Sequence, residues 1–227
     1  MSEGDCGSII AIEKCIEELK TMDRDTVNRI FKSPPELYTK RLLLRKMQKT
    51  DSADMHEYAS REEVSRYLLW NPHESLGYTY RYLTYLQSRY RAGEFYDWAV
   101  VLKEQQKMIG TAGFTKFYYD DNAAEIGYVL NDRYWGNGFA VEAAAEVIKF
   151  GFEVLKLNRI EARYIVGNDQ SLRVMQKLRM KHEGIMRESL LNKGRYVSVG
   201  VCSILKSEYE AIIDEMLVQE RKIYIEE

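Results

Sequence analysis

The chain has 227 residues, 45% hydrophobic and 30% charged, which suits one globular domain with a sizeable core plus modest extensions. With 33 basic against 35 acidic residues the net charge is -2, which excludes a global field that would recruit nucleic acid or an anionic membrane. Cys6, Cys15 and Cys202 are widely spaced with no C-x-x-C pair, Glu3 and Asp5 stand where a leader would be basic, and no apolar run approaches the ~20 residues of a membrane helix, so disulfide, zinc and membrane classes are set aside and a soluble, unprocessed, cytoplasmic protein is expected.

Ile9, Ile12, Ile16 and Leu19 recur at helical spacing and predict an amphipathic helix over 8–20. A second, short helix around Val27, Ile30 and Phe31 ends at Pro34-Pro35. Together these form an expected N-terminal helical extension, 1–36, open to being a packed element, a dimer element or a mobile arm. Leu37 to Met47 reads as the first strand, followed by helices over 51–59, 61–69 and 75–91, with Asn71-Pro72 breaking between the last two. Tyr78, Tyr82, Tyr85 and Leu86 form a stripe on the longest of these, expected to pack in the core, with an aromatic acceptor pocket as the alternative.

The β-rich runs 95–102 and 107–119, and a strand at 124–130 after the turn Asp120-Asp121-Asn122, imply three consecutive antiparallel strands. Val141, Ala144, Ala145, Ile148, Phe152 and Leu155 then mark the buried face of a helix, and Ile160, Ala162, Tyr164 and Val166 alternate as a strand. That strand, helix, strand order requires one parallel pair inside a mostly antiparallel sheet. Asn168 is a good N-cap for a helix over 169–178. Residues 180–190 and 195–205 read as a hairpin across Asn192-Lys193-Gly194, and 207–227 as an acidic terminal helix.

The chemistry concentrates where the strand at 124–130 meets the next helix. Gly136 and Gly138 allow close backbone approach to a bulky anion, and the helix that follows offers unpaired N–H groups and a positive dipole end, with Arg133 adding charge beside the loop. A dinucleotide fingerprint would need glycine where Val141 stands, and a Walker loop would need Gly-Lys-Ser/Thr. An ordinary tight turn is the bland alternative. His56, His73 and His182 lack metal-ligand spacing, and the basic excess over 173–195 fits either a solvated face or contacts to anions.

The run Arg133-Tyr134-Trp135-Gly136-Asn137-Gly138-Phe139-Ala140 resembles the acetyl-CoA pyrophosphate loop of the GNAT acyltransferase superfamily, and its Tyr-Trp variant is similar to the ribosomal-protein alanine N-acetyltransferase branch. Asn168-Asp169-Gln170-Ser171 with Glu183-Gly184 downstream is similar to that family's Asn-x-x-Ser segment, though Arg179-Met180 departs from its usual Gly-Phe or Gly-Met. The resemblance spans 37–206. It implies an α+β fold, a mixed, mostly antiparallel sheet with a local parallel splay and helices on both faces. It also implies acetyl-CoA as co-substrate, with no metal.

By the same resemblance acetyl-CoA would be held by Tyr128, Val129 and Leu130, with the N–H groups of Val129 and Leu130 on the pantetheine, and by Arg133, Trp135, Gly136, Asn137, Gly138, Phe139, Ala140, Asn168 and Ser171. Glu125 lies near the family's proton-accepting carboxylate, or is a solvent-facing strand residue. Met175 occupies the position of the family's proton-donating tyrosine, so that role passes to Ser171 or to solvent. His73 lies in a loop that in the family borders the acceptor site. The expected acceptor is a protein or peptide N-terminal α-amine, whose pKa near 8 leaves it partly neutral where a lysine amine near 10.4 is not. A small-molecule amine such as an aminoglycoside, polyamine or amino acid is the alternative, and a non-catalytic acyl-CoA-binding regulator a third reading. The oligomeric state is open.

Overall fold

The computed structural model describes residues 22–213. The helix expected over 8–20 and residues 214–227 of the acidic terminal helix lie outside them; residues 206–213 are helical. Short strands β1 (Leu37–Tyr38) and β2 (Leu42–Arg45) open the sheet, and β3 (Asp97–Leu102), β4 (Lys107–Tyr118) and β5 (Ala123–Leu130) continue it as an antiparallel meander. β6 (Arg159–Ile165) pairs parallel with β5, and the hairpin of β7 (Lys181–Asn192) and β8 (Arg195–Leu205) completes an 8-stranded sheet in the order β1-β2-β3-β4-β5-β6-β8-β7. All other neighbours are antiparallel. The mixed sheet with a single parallel pair is the one the strand, helix, strand order requires.

Because strand side chains alternate between faces, the sheet builds two cores. Helix α1 (Arg24–Lys32), the helix α5 (Phe139–Lys149) that follows the glycine loop, and α6 (Asp169–Lys177) pack on one face, with Trp98, Phe114 and Ile126. Helices α2 (Ser52–Ala59), α3 (Glu62–Ser65) and α4 (Leu76–Ala92) pack on the other, with Ala99, Val101 and Val129. The short N-terminal helix is a packed element: Phe31 is fully buried, its ring edge-on to Tyr96, Trp98 and Phe114.

Four expectations are corrected by tertiary contacts. The strand expected over 37–47 is split, because Thr39 turns the chain: its Oγ1 accepts from Leu42 N at 2.9 Å and donates to Glu142 Oε1 at 2.6 Å. The helix expected over 61–69 stops at Ser65, whose carbonyl accepts from Leu68 N at 2.9 Å in a tighter turn and also from Lys193 Nζ at 2.8 Å. On α4 the buried positions are Thr79, Leu83, Leu86 and Tyr90, so Tyr78 and Tyr85 are exposed and the stripe is not core throughout. The helix after the glycine loop gives way to a π-helical turn at Phe150–Val154, and its buried face is set by Phe139, Ala143, Ala144, Val147 and Ile148, leaving Ala145 exposed.

Candidate active site

The site forms where the parallel pair comes apart. β5 and β6 are paired only from Ala123↔Arg159 to Ile126↔Ala162, while β5 stays on β4 as far as Leu130 and β6 stays on β8 as far as Ile165. A gap therefore opens beside Gly127–Leu130. Asn131 N donates to Ile109 O at 2.8 Å, so the alternation of an antiparallel ladder turns the N–H and C=O of Val129 toward β4 and those of Tyr128 and Leu130 into the gap. The pair of N–H groups facing the gap is thus Tyr128 and Leu130, a one-residue correction to Val129 and Leu130. Leu130 O already accepts Trp135 Nε1 at 2.9 Å, which fixes the indole as a wall of the site.

The gap continues into a cleft of about 370 Å³ lined by Tyr128, Leu130, Gly136, Phe139, Ser171 and Lys177 among others. Gly136 and Gly138 carry φ of 80° and 79°, a region closed to most side chains, and a Cβ on Gly136 would meet nothing within 4 Å. That open space above a loop entering α5, with Lys177 and Arg173 on the opposite wall, fits a pyrophosphate. Asn137 braces the loop, its Nδ2 donating to the carbonyls of Tyr134 and Trp135 at 3.2 and 3.1 Å. Phe139 and Ala140 line the cleft from the first turn of α5.

Arg133 faces away from this space. Its guanidinium donates to Glu57 Oε1 at 3.0 Å, as Asn131 Nδ2 does at 3.0 Å, while Lys107 Nζ donates to Glu57 Oε2 at 2.6 Å. Lys107 foremost holds the Glu57 carboxyl below its ordinary range. The cation at the loop is instead Arg41, which sequence reasoning missed. Its Nη1 donates to Asn137 O at 3.0 Å, its Nε pairs with Glu142 at 2.6 Å, and it lies 4.3 Å over the Phe139 ring. Burial favours protonating Glu142, but Thr39 and Arg41 outweigh it and the carboxyl is held low. Arg41→Ala is expected to weaken acetyl-CoA binding about fivefold, roughly 1 kcal/mol for one charge-assisted contact; unchanged affinity by calorimetry would reduce Arg41 to a partner of Glu142.

Across the cleft, Asn168 caps α6 with its Oδ1 accepting from Ser171 N at 3.2 Å. This turns Ser171 toward Tyr128, whose Oη lies 3.0 Å from Ser171 O and 3.1 Å from Ser171 Oγ. Burial pushes the Tyr128 phenol up to about 12, against a smaller opposing pull from Ser171. Met175, one turn further along, is 1% exposed and belongs to the core. The phenol absent from the helix is therefore present on the facing strand. The motif placed Tyr128 among the cofactor-binding residues but gave its hydroxyl no role.

Glu125 sits on the other face of β5. Its Oε1 accepts from Thr115 Oγ1 at 3.0 Å and its Oε2 pairs with Arg163 Nε at 3.2 Å. His56 and His73 both present Nδ1 to Thr79 Oγ1, at 3.1 and 2.9 Å, and burial lowers the His73 pKa. His73 is 7% exposed among Trp70, Tyr78 and Tyr82, a structural position. A second cavity of about 900 Å³ opens beside the first and shares Val64, Trp135, Asn168 and Arg173 with it. Its wall mixes Glu62, Glu63 and Asp169 with Arg66 and Lys193. Among the described residues no helix is long and apolar enough to cross a membrane.

Residues 41–181 match the Acetyltransferase (GNAT) domain family. An uncharacterized N-acetyltransferase, p20, of Bacillus licheniformis is 36% identical over 173 residues, covering 76% of this chain and 97% of the relative. The crystal structure of an acetyltransferase (GNAT family) from Bacillus anthracis superposes with a TM-score of 0.69 at 28% identity, covering 76% of this chain and 99% of that one. More distantly, the [ribosomal protein uS5]-alanine N-acetyltransferase of Escherichia coli (strain K12) is 23% identical over 168 residues, 70% of this chain and 85% of the relative.

Proposed function

The chain belongs to the GNAT acetyltransferase family and is an N-acetyltransferase, and from that premise we propose that it moves the acetyl group of acetyl-CoA to the α-amine of a protein or peptide N-terminus. The observation that carries the acceptor class is the second cavity. At about 900 Å³ it is at the upper end of what small-molecule sites need, and it opens onto the cofactor cleft along Trp135 and Asn168. Its wall is charge-balanced, with Glu62, Glu63 and Asp169 able to pair with an ammonium and Arg66, Arg173 and Lys193 able to donate to the carbonyls of a following peptide. The similarity to an enzyme named for ribosomal-protein alanine supports the same class.

Acetyl-CoA supplies an acetyl group activated as a thioester. The N–H groups of Tyr128 and Leu130 facing the gap are the donors placed to polarise its carbonyl. The glycine loop and the start of α5 hold the pyrophosphate, with Arg41 bracing the loop. Ser171, backed by Tyr128, is placed to hydrogen-bond and protonate the departing sulfur. An acceptor array reading free thiol, with N-terminal peptides beside aminoglycosides, polyamines and amino acids, is expected to give its highest kcat/KM with peptides. Faster turnover of a small amine would move the assignment to that class.

A further inference from the structure

Resting on the acetyltransfer reading, we infer that Asp97, with Tyr58 beside it, forms the end of the acceptor site that receives the attacking amine, and that Asp97 is the base that takes its proton. Along one row of the sheet Asp97 lies opposite Gly113 and Gly113 opposite Gly127, the first β5 residue beyond the paired segment. Both glycines leave the sheet bare on the face covered by α2 and α4. A Cβ on Gly113 would meet Asp97 Oδ1, Asp97 Cα and Tyr96 O, so the carboxylate lies against Gly113 where β3 and β4 approach closely, while a Cβ on Gly127 would meet only Thr115 Cγ2 at 2.7 Å. The row crosses two strand spacings, about 10 Å, and the carboxylate spans the first of them.

Two polar atoms on this face lack partners. Asp97 as a residue is half-buried, yet its Oδ1 is sealed from solvent and accepts no hydrogen bond. The Tyr58 hydroxyl, on a side chain 2% exposed, is also unpaired. A buried polar atom without a partner is destabilising, and Tyr58 and Asp97, which interact electrostatically across this face, leave one such atom each for an incoming polar group. The titratable groups facing Asp97 are Tyr58 from α2 and Tyr82 and Tyr90 from α4, and Tyr90 Oη donates to the Asp97 backbone carbonyl at 2.6 Å. Burial raises the Asp97 carboxyl to about 7, close to an α-amine near 8. Glu125 shares the face but is occupied by Arg163 and Thr115.

In the step inferred here the substrate ammonium gives one proton to the Asp97 carboxylate, and the freed lone pair forms the C–N bond as the C–S bond breaks. The second N–H proton leaves to water, and the thiolate takes a proton from Ser171, which is reprotonated through Tyr128 by one proton from water. One proton is released in all, as Asp97 returns its own to solvent.

The test is the pH profile of kcat/KM with a peptide acceptor. Wild-type enzyme is expected to rise through pH ~7, whereas D97N rises only with the free amine, near pH ~8. The D97N defect is then about fivefold at pH 7, about tenfold near pH 6, and shrinks above pH 8, with acetyl-CoA affinity unchanged. Tyr58→Phe removes a costly orphan, so its melting temperature should hold or rise while acceptor KM increases about fivefold. A D97N enzyme that binds acetyl-CoA and keeps its limb near 7, or an E125Q enzyme whose limb moves instead, overturns the base assignment and leaves the acetyltransfer reading standing. A stabilised Tyr58→Phe enzyme with unchanged acceptor KM removes Tyr58 from the site. Wild-type enzyme that releases no thiol with any amine would sink the acetyltransfer reading itself.

Discussion

Gly136→Asp is expected to abolish measurable acetyl-CoA binding, weakening it by about 100-fold or more, upward of roughly 2.7 kcal/mol. Two independent effects point the same way. At φ of 80° an ordinary side chain strains the loop, at a cost of order 1–3 kcal/mol. The new carboxylate also enters the open space above the loop, where a pyrophosphate would bring like charge. Gly136→Ala separates the two, since it carries the backbone strain without the charge and should lose only part of the affinity. Calorimetry on a folded Gly136→Asp protein that gave wild-type affinity would dismiss the loop as an anion site.

The glycine loop and the Asn168 cap were legible in the sequence because both are local. Their chemistry depends on residues within four positions of one another and on the helix they start. The mixed sheet was legible for a related reason, since strand, helix, strand order forces a parallel pair wherever it occurs. What stayed hidden depends on register. Arg41 reaches Glu142 across 101 positions, and nothing in the run Arg41-Leu42-Leu43-Leu44-Arg45 marks the first arginine as the one beside the loop. Asp97 becomes notable only once Gly113 and Gly127 are known to share its row. Which N–H groups face the gap was a question of parity, settled by the bond from Asn131 to Ile109. The split first strand and the end of α3 involve Glu142 and Lys193, partners 103 and 128 residues away.

Register also sets which hydroxyls meet the departing sulfur, since it places Tyr128 of β5 against Ser171 of α6. Ser171→Ala and Tyr128→Phe should each lower kcat by roughly 10- to 100-fold, because removing one donor aimed at developing charge costs up to about 3 kcal/mol. Acetyl-CoA affinity should hardly change, since the donor acts on charge that appears only as the sulfur leaves. The two hydroxyls are 3.1 Å apart, so a relay predicts strong non-additivity: the double variant should be little worse than the poorer single one. Independent roles would instead multiply the two losses. Met175→Tyr cannot substitute for either, because that side chain is 1% exposed in the core, and a phenol there overpacks it at a cost of about 1–3 kcal/mol without reaching the cleft. Wild-type kcat in both single variants would mean that solvent protonates the thiolate, which a thiol of pKa ~8.5 tolerates. In that case the Tyr128 phenol, pushed up to about 12 by its burial, serves only to dock α6 against β5.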